Sequence, residues 1–252
     1  MNIALIGYGK MGKIIDQISR AHGHSICAIV DPFAADKPDI SKTIAQANLG
    51  AADAAIEFTQ PDTAVSNILA LAERKIPTVT GTTGWFDKID EVSRAVEKAG
   101  GSLLWASNFS IGVNMLYRIA WYAAQLVNRF PEYDIGGFEA HHNKKIDSPS
   151  GTAKTLAQGV LSRIDRKNKI VWETMNDKPK ADEIHFPSLR MGSVPGIHSL
   201  FSDSAADTIE ITHTARSREG FAFGALRAAQ WLMDQEKSRV FTIDDMMQDL
   251  FK

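Results

Sequence analysis

Cysteine is nearly absent: Cys27 is the single one in 252 residues. One thiol makes no internal disulfide and supports no cysteine-rich metal site. An excess of either charge is missing too. The 28 basic and 30 acidic residues leave a formal charge of −2, so no basic surplus draws the chain to nucleic acid. No run approaches the ~18 uninterrupted apolar residues that read as a membrane helix. Met1–Gly7 has neither the basic start nor the roughly 7–15 residue apolar run of a secretory signal. There is no internal repeat and no low-complexity segment. What is present is ordinary globular material, 44% hydrophobic and 23% charged. At roughly 150 residues per domain, that makes one large domain or two modest ones. The expectation is a soluble cytoplasmic protein without nucleic-acid or membrane partners.

The first half alternates short apolar runs with helical patterns. Ile3–Ile6, Ser25–Val30, Ala54–Phe58, Pro77–Thr80 and Leu103–Ala106 read as strands. Met11, Ile14, Ile15 and Ile18 fall on one helical face, and Asp62–Arg74 and Asp87–Ala99 read as further helices. Strands separated by helices predict right-handed βαβ units and a parallel sheet. Beyond Ser107 the pattern changes. A long helix spans Ile111–Phe130. Strand-like runs follow at Asp134–Ala140, Ile184–Met191, Gly196–Asp203 and Asp207–Ala215, with one helix, Gly151–Ile164, interrupting. The polar stretch Arg163–Pro179 reads as a surface loop with a short strand near Ile170–Trp172. These strands predict an antiparallel or mixed sheet with one face covered. Helices Phe223–Gln235 and Ile243–Leu250 close the chain. The expected organisation is a Rossmann-like α/β domain over residues 1–107, completed by 222–252, and an α+β domain over 108–221.

Gly7-Tyr8-Gly9-Lys10-Met11-Gly12 is a G-x-G-x-x-G between the first strand and the first helix, the setting a dinucleotide fingerprint requires. Its helix N-terminus favours a pyrophosphate. Asp31 ends the second strand, where a carboxylate holds the adenosine ribose. Asp31 repels a 2′-phosphate, and Pro32 stands where an arginine could have held one, so NADH is expected over NADPH. Lys10 and Lys37 offer some charge toward a phosphate, although solvated surface is the simpler reading of both. Gly81-Thr82-Thr83-Gly84 and Ala106-Ser107-Asn108-Phe109 follow later strands at the same sheet edge, where nicotinamide and its ribose belong. Phe58-Thr59-Gln60-Pro61 ends the third strand there, its proline starting a helix.

The densest chemistry is Glu139-Ala140-His141-His142-Asn143-Lys144-Lys145-Ile146-Asp147-Ser148-Pro149-Ser150-Gly151-Thr152-Ala153. A strand enters a polar loop that opens a helix. Ser150-Gly151-Thr152 starts that helix, so its N–H groups suit a substrate carboxylate, and Ser148 or Ser150 suits the N-cap. His141 and Lys145 are four apart and can converge on one reacting atom, with histidine moving a proton and lysine supplying charge or a proton. No H-x-x-x-H spacing points to zinc, and no metal is expected. His198 and His213 read as hydrogen-bonded structural residues, and Cys27 as a small buried hydrophobe.

The segment Glu139–Ala153 closely resembles the E-A-H-H-x-x-K-x-D-x-P-S-G-T-A signature of the dihydrodipicolinate (4-hydroxy-tetrahydrodipicolinate) reductases. The resemblance extends through Phe58-Thr59, Gly81–Gly84, Asn108–Asn114, Arg190-x-Gly192, Gly196-x-His198 and His213-x-Ala215-x-Ser217-Arg218. It implies a Rossmann-like domain with an α+β substrate and assembly domain, usually in a homotetramer. It also implies hydride transfer from NADH or NADPH to a cyclic dicarboxylate in lysine and diaminopimelate biosynthesis. By resemblance, His141 is the acid/base residue and Lys145 the proton donor. His142, Gly151 and Thr152 bind substrate, and Asp31 holds the ribose. Three departures stand out: a glycine loop one residue shorter than the common pattern, Pro32 for a frequent arginine, and Lys144 for a commoner histidine. The competing functions are another NAD-dependent oxidoreductase, such as an aspartate or homoserine dehydrogenase, and a non-catalytic nucleotide sensor. The His-His-x-x-Lys and Ser-Gly-Thr cluster speaks against both.

Overall fold

The computed structural model describes residues 1–34 and 39–250. Lys37 lies outside the described residues. The chain divides into two compact units, Met1–Ser110 with Arg218–Lys252, and Ile111–Ser217.

The first unit begins with β1 (Asn2–Ile6), α1 (Lys10–Ala21), β2 (Ser25–Val30), a two-residue β3 (Ile40–Ser41) and β4 (Ala54–Glu57). It continues with α2 (Pro61–Glu73), β5 (Thr78–Thr80), α3 (Ile89–Lys98) and β6 (Leu103–Trp105). β1, β4 and β5, at the centre of the sheet, are short and almost wholly buried, as expected where helices cover both faces of a parallel sheet. The predicted helix from Asp87 starts as a separate 3-10 turn at Phe86–Lys88. Pro61 takes the first turn of α2, where its missing N–H costs nothing.

The second unit opens with α4 (Ile111–Val127) and β7 (Asp134–His141). There follow α5 (Gly151–Leu161), β8 (Lys169–Val171), β9 (Glu183–His185), β10 (Ser188–Arg190), β11 (Ile197–Asp203) and β12 (Thr208–Thr214). Four of these strands form a mixed sheet in the order β10-β7-β11-β12, parallel only between β10 and β7. The single strand expected over Ile184–Met191 is two strands in different sheets. Pro187 lacks the N–H a continuous ladder needs, and Phe186 turns into the core, wholly buried. Strand alternation sends Ile135 and Gly137 of β7, with Leu200 of β11, to the face packed by α4 and α5. Phe138 and Phe201 stack on the opposite face, ring centroids 6.1 Å apart.

The chain then adds α6 (Glu219–Met233), β13 (Val240–Thr242) and α7 (Ile243–Asp249) to the first unit. Its seven strands run in the order β13-β6-β5-β4-β1-β2-β3, every pairing parallel. Two-residue β3 and three-residue β13 are too short for a periodic signal and were not expected. α7 is held by a capping box between Thr242 and Asp245. Among the described residues, no helix is long and apolar enough to cross a membrane.

Candidate active site

In the first unit, the glycine loop turns at Gly7, whose φ is +94°. A Cβ there would run into the Phe58 carbonyl oxygen, so the turn needs glycine. Gly9 caps α1 without a side-chain bond, and no acidic residue stands in the first helical turn. That leaves an electropositive helix start suited to a pyrophosphate. A cavity of about 430 Å³ opens beside it, lined by Gly9, Lys10, Met11, Phe58, Thr59, Gln60, Pro61, Gly81, Thr82 and Thr83. The loops after β1, β4 and β5 therefore meet at one sheet edge. Asp31 accepts from the Tyr8 N–H at 2.6 Å and the Phe33 N–H at 2.8 Å, tying the end of β2 to the glycine loop. These features fit a dinucleotide.

Of the other residues expected around a cofactor, Gly12 is buried inside α1. Ser107 is exposed, and the Asn108 side chain accepts from the Ser110 N–H at 2.9 Å. Ala106 and Phe109 turn into the core, each 2% exposed, so only their backbone can reach a ligand. Sequence reasoning undervalued Thr59 and Gln60, which line the cavity. Their position at a strand's carboxyl end was the available signal.

In the second unit, the alternation that builds the core also builds a polar cluster. Ile135, Gly137, Glu139 and His141 share one face of β7. The first two pack inward, Glu139 reaches the start of α5, and His141 lies against Glu139. Glu139 is fully buried. Its carboxylate accepts from His141 Nδ1, from Arg190 Nη2 at 2.8 Å and from the Ser150 N–H at 3.3 Å. A carboxylate only accepts, so Nδ1 carries the hydrogen and Nε2 is left to exchange a proton. Gly196, at φ +148°, keeps space beside that nitrogen. A Cβ there would lie 3.1 Å from Nε2.

Burial draws the Glu139 pKa upward, but the Arg190 bond and the His141 interactions outweigh it, and the value lies below the ordinary one. Burial lowers the His141 pKa. Glu139 opposes that fall, while the charges of Lys145 and Arg190 add to it. Lys145 pairs with Asp147 at 2.8 Å in the loop before α5. Ser150 caps α5, its hydroxyl accepting from the Ala153 N–H at 3.1 Å. Gly151 is exposed, with open space where a side chain would stand. His142 is half-buried, its Nδ1 without a partner among the described residues. Thr152 follows Gly151 in the first turn of α5.

The structure brings His198 into this cluster. It sits opposite Glu139 on β11, its ring 5.2 Å from that of His141, and its Nε2 is 3.2 Å from Ser150 Oγ. His213 pairs with it across β12. Glu139, His141 and His198 set three ligand-type atoms within 4.8 Å of one another, a grouping invisible in sequence spacing. The neighbouring charges of Arg190 and Lys145 oppose a cation there. Burial, then the His141 charge, lowers the His198 pKa from 6.5 to about 4. The unfolded chain therefore takes this proton first as pH falls below 6.5. Stability attributable to His198 should drop by about 2 kcal/mol between pH 7 and pH 5 and level off below pH 4. Denaturant titrations of wild type and His198→Gln check this. An equal pH dependence in both would contradict it.

Residues 1–109 match the family description "Dihydrodipicolinate reductase, N-terminus", and residues 112–247 match "Dihydrodipicolinate reductase, C-terminus". A 4-hydroxy-tetrahydrodipicolinate reductase of Christiangramia forsetii is 40% identical over 252 residues, covering all of both chains. One from Chromobacterium violaceum is 34% identical over 269 residues, covering 98% of each. Among solved structures, a dipicolinate-bound dihydrodipicolinate reductase from Paenisporosarcina sp. TG-14 shares the fold. Its TM-score is 0.74 at 19% identity, over 96% of this chain and 97% of that one. With both halves matched in order and a relative 40% identical from end to end, the chain belongs to the dihydrodipicolinate reductase family of nicotinamide-dependent oxidoreductases.

Proposed function

We propose that this protein reduces 4-hydroxy-tetrahydrodipicolinate to tetrahydrodipicolinate, with NADH as the preferred reductant, in lysine and diaminopimelate biosynthesis. The observation that carries this reading is the buried Glu139–His141 pair beside Lys145 and the open start of α5. Loss of the 4-hydroxyl group as water leaves a cyclic dicarboxylate with a conjugated imine, and the cofactor would supply hydride to it. The chain's residues must then bind a dianion, stabilise developing negative charge and deliver one proton. Lys145 and the N–H groups at Gly151 and Thr152 hold a carboxylate, and His142 stands beside them. Glu139 fixes the imidazole of His141 so that Nε2 faces the reacting side. His141 and Lys145 manage the proton, and the positive charge of Lys145 favours the transition state, where negative charge builds on the ring. In the other unit, the glycine loop and Asp31 take the adenosine half of the cofactor, and the loops after β4, β5 and β6 take the nicotinamide half. A substrate panel tests the reading against its rivals. Turnover of the cyclic dicarboxylate without oxidation of aspartate or homoserine supports it, and the reverse overturns it.

The NADH preference rests on Asp31. Its buried carboxylate already holds the glycine loop and would repel a 2′-phosphate. Steady-state kinetics at matched ionic strength should give a higher kcat/KM with NADH. An advantage of about tenfold or more for NADPH, some 1.4 kcal/mol, would reject it.

A homotetramer is the proposed assembly. The sheet face bearing Phe138, Phe201 and Ile197 has its apolar side chains only partly buried, and Leu189 beside them is 46% exposed. A sheet face of this kind invites a second copy. Light scattering at micromolar concentration should show an oligomer, and a monomer would contradict the proposal. Phe201→Glu should shift the population toward smaller species.

A further inference from the structure

Glu57 is the one fully buried acidic side chain in the described part of the first unit, and the chemistry so far leaves it without a task. It ends β4, with Thr80 of β5 opposite it in the parallel ladder. Its carboxylate accepts from the hydroxyls of Thr59, Thr80 and Thr82, the last at 3.0 Å, and from the Thr59 N–H at 3.2 Å. The Thr59 N–H also reaches Thr82 Oγ1 at 2.7 Å. One carboxylate thus clasps the loops after β4 and β5 together, and Trp85 Nε1 pins the second loop through the Thr82 carbonyl at 2.8 Å.

The clasp fixes a polarity. A hydroxyl has one hydrogen and two lone pairs. Thr82 lines the cavity, yet its hydrogen is committed to Glu57 and one lone pair to the Thr59 N–H. What Thr82 Oγ1 can still offer a ligand is one lone pair. We infer that Glu57 is a positioning residue for the cofactor: it turns Thr82 into an obligatory acceptor that receives the NH₂ of the nicotinamide carboxamide and so selects which face of the ring is presented. This rests on the proposed placement of the nicotinamide half over β4 and β5. The adenosine half, over Asp31 and Gly9, lies outside Glu57's reach in that placement.

Glu57→Gln puts an amide NH₂ among hydroxyl hydrogens, and one hydroxyl must turn its hydrogen toward the cavity. Three ligands read the result by calorimetry: NADH, ADP-ribose without the nicotinamide, and the 3-acetylpyridine analogue of NADH, in which a methyl replaces the NH₂. Wild type should bind NADH about tenfold or more tighter than the analogue, the range set by leaving one buried polar group unpaired. Glu57→Gln should lose most of that preference while its ADP-ribose affinity stays within about threefold of wild type. Thr82→Val, which removes the acceptor and leaves Glu57 in place, should lose the same preference and stands in should Glu57→Gln not fold. Equal weakening of all three ligands in Glu57→Gln would make Glu57 merely structural and overturn the inference. So would a wild type indifferent to the NH₂, or a Thr82→Val variant that keeps the full preference. A wild type that binds neither NADH nor ADP-ribose would instead overturn the functional reading beneath it.

Discussion

His141→Gln should lower kcat by on the order of 10²–10⁴, the usual contribution of a positioned acid or base. Glutamine keeps a hydrogen-bonding group near Glu139 but cannot exchange a proton near neutral pH. NADH affinity should hardly change, because the glycine loop and its cavity are built entirely from residues of the other unit. Lys145→Ala should lower kcat as well and raise KM, since its charge faces the dianion in both ground and transition states. If the two residues serve one proton transfer, the double variant should lose less than the product of the single losses. Kinetics, thermal melts and NADH titrations on the four proteins check this. A folded His141→Gln enzyme that binds NADH and turns over within about threefold of wild type would remove His141 from the chemistry.

Replacing Glu139 should have two separable effects. Glu139→Ala leaves the Arg190 guanidinium, 19% exposed at its side chain, without its carboxylate, and frees the Ser150 N–H at the start of α5. Breaking a buried pair in this way costs about 3–5 kcal/mol, measurable by denaturant unfolding. Glu139→Gln preserves the shape and most of that stability, yet offers His141 an amide whose orientation no longer dictates the tautomer. It should lower kcat by roughly 10–100-fold, the loss found when the orienting partner of a metal-bound histidine is removed. The sign of the pH effect follows from the charge. Glu139 raises the His141 pKa against the pull of burial, so removing the charge should move the His141 limb of the kcat/KM profile to lower pH. A variant with a normal profile and lost stability alone would make Glu139 purely structural.

Much of this site was legible in one dimension. A strand, a G-x-G-x-x-G and a helix in that order place a dinucleotide loop, and Asp31 at the end of β2 completes it. His141 and Lys145 declared themselves by crowding with polar residues before a helix start. Glu139 received no role from the sequence, although residues two apart on a strand share a face, which was the available signal. Arg190 and His198 were not. They join the cluster through sheet register, Arg190 opposite His141 in a parallel pair and His198 opposite Glu139 in an antiparallel one. Spacing along the chain does not encode which strands pair. The break at Pro187, which separates β9 from β10, is what delivers Arg190 to β7. Glu57 was hidden for the same reason: an acidic residue at a strand end gains meaning only when Thr80 and Thr82 converge on it.

The most direct test of the account follows NADH oxidation by purified enzyme while 4-hydroxy-tetrahydrodipicolinate is generated in the same solution. The account predicts oxidation that depends on both the enzyme and the cyclic substrate, with one NADH consumed for each substrate molecule formed, and that collapses in His141→Gln. An enzyme that binds NADH yet leaves it unoxidised in the presence of that substrate would contradict it.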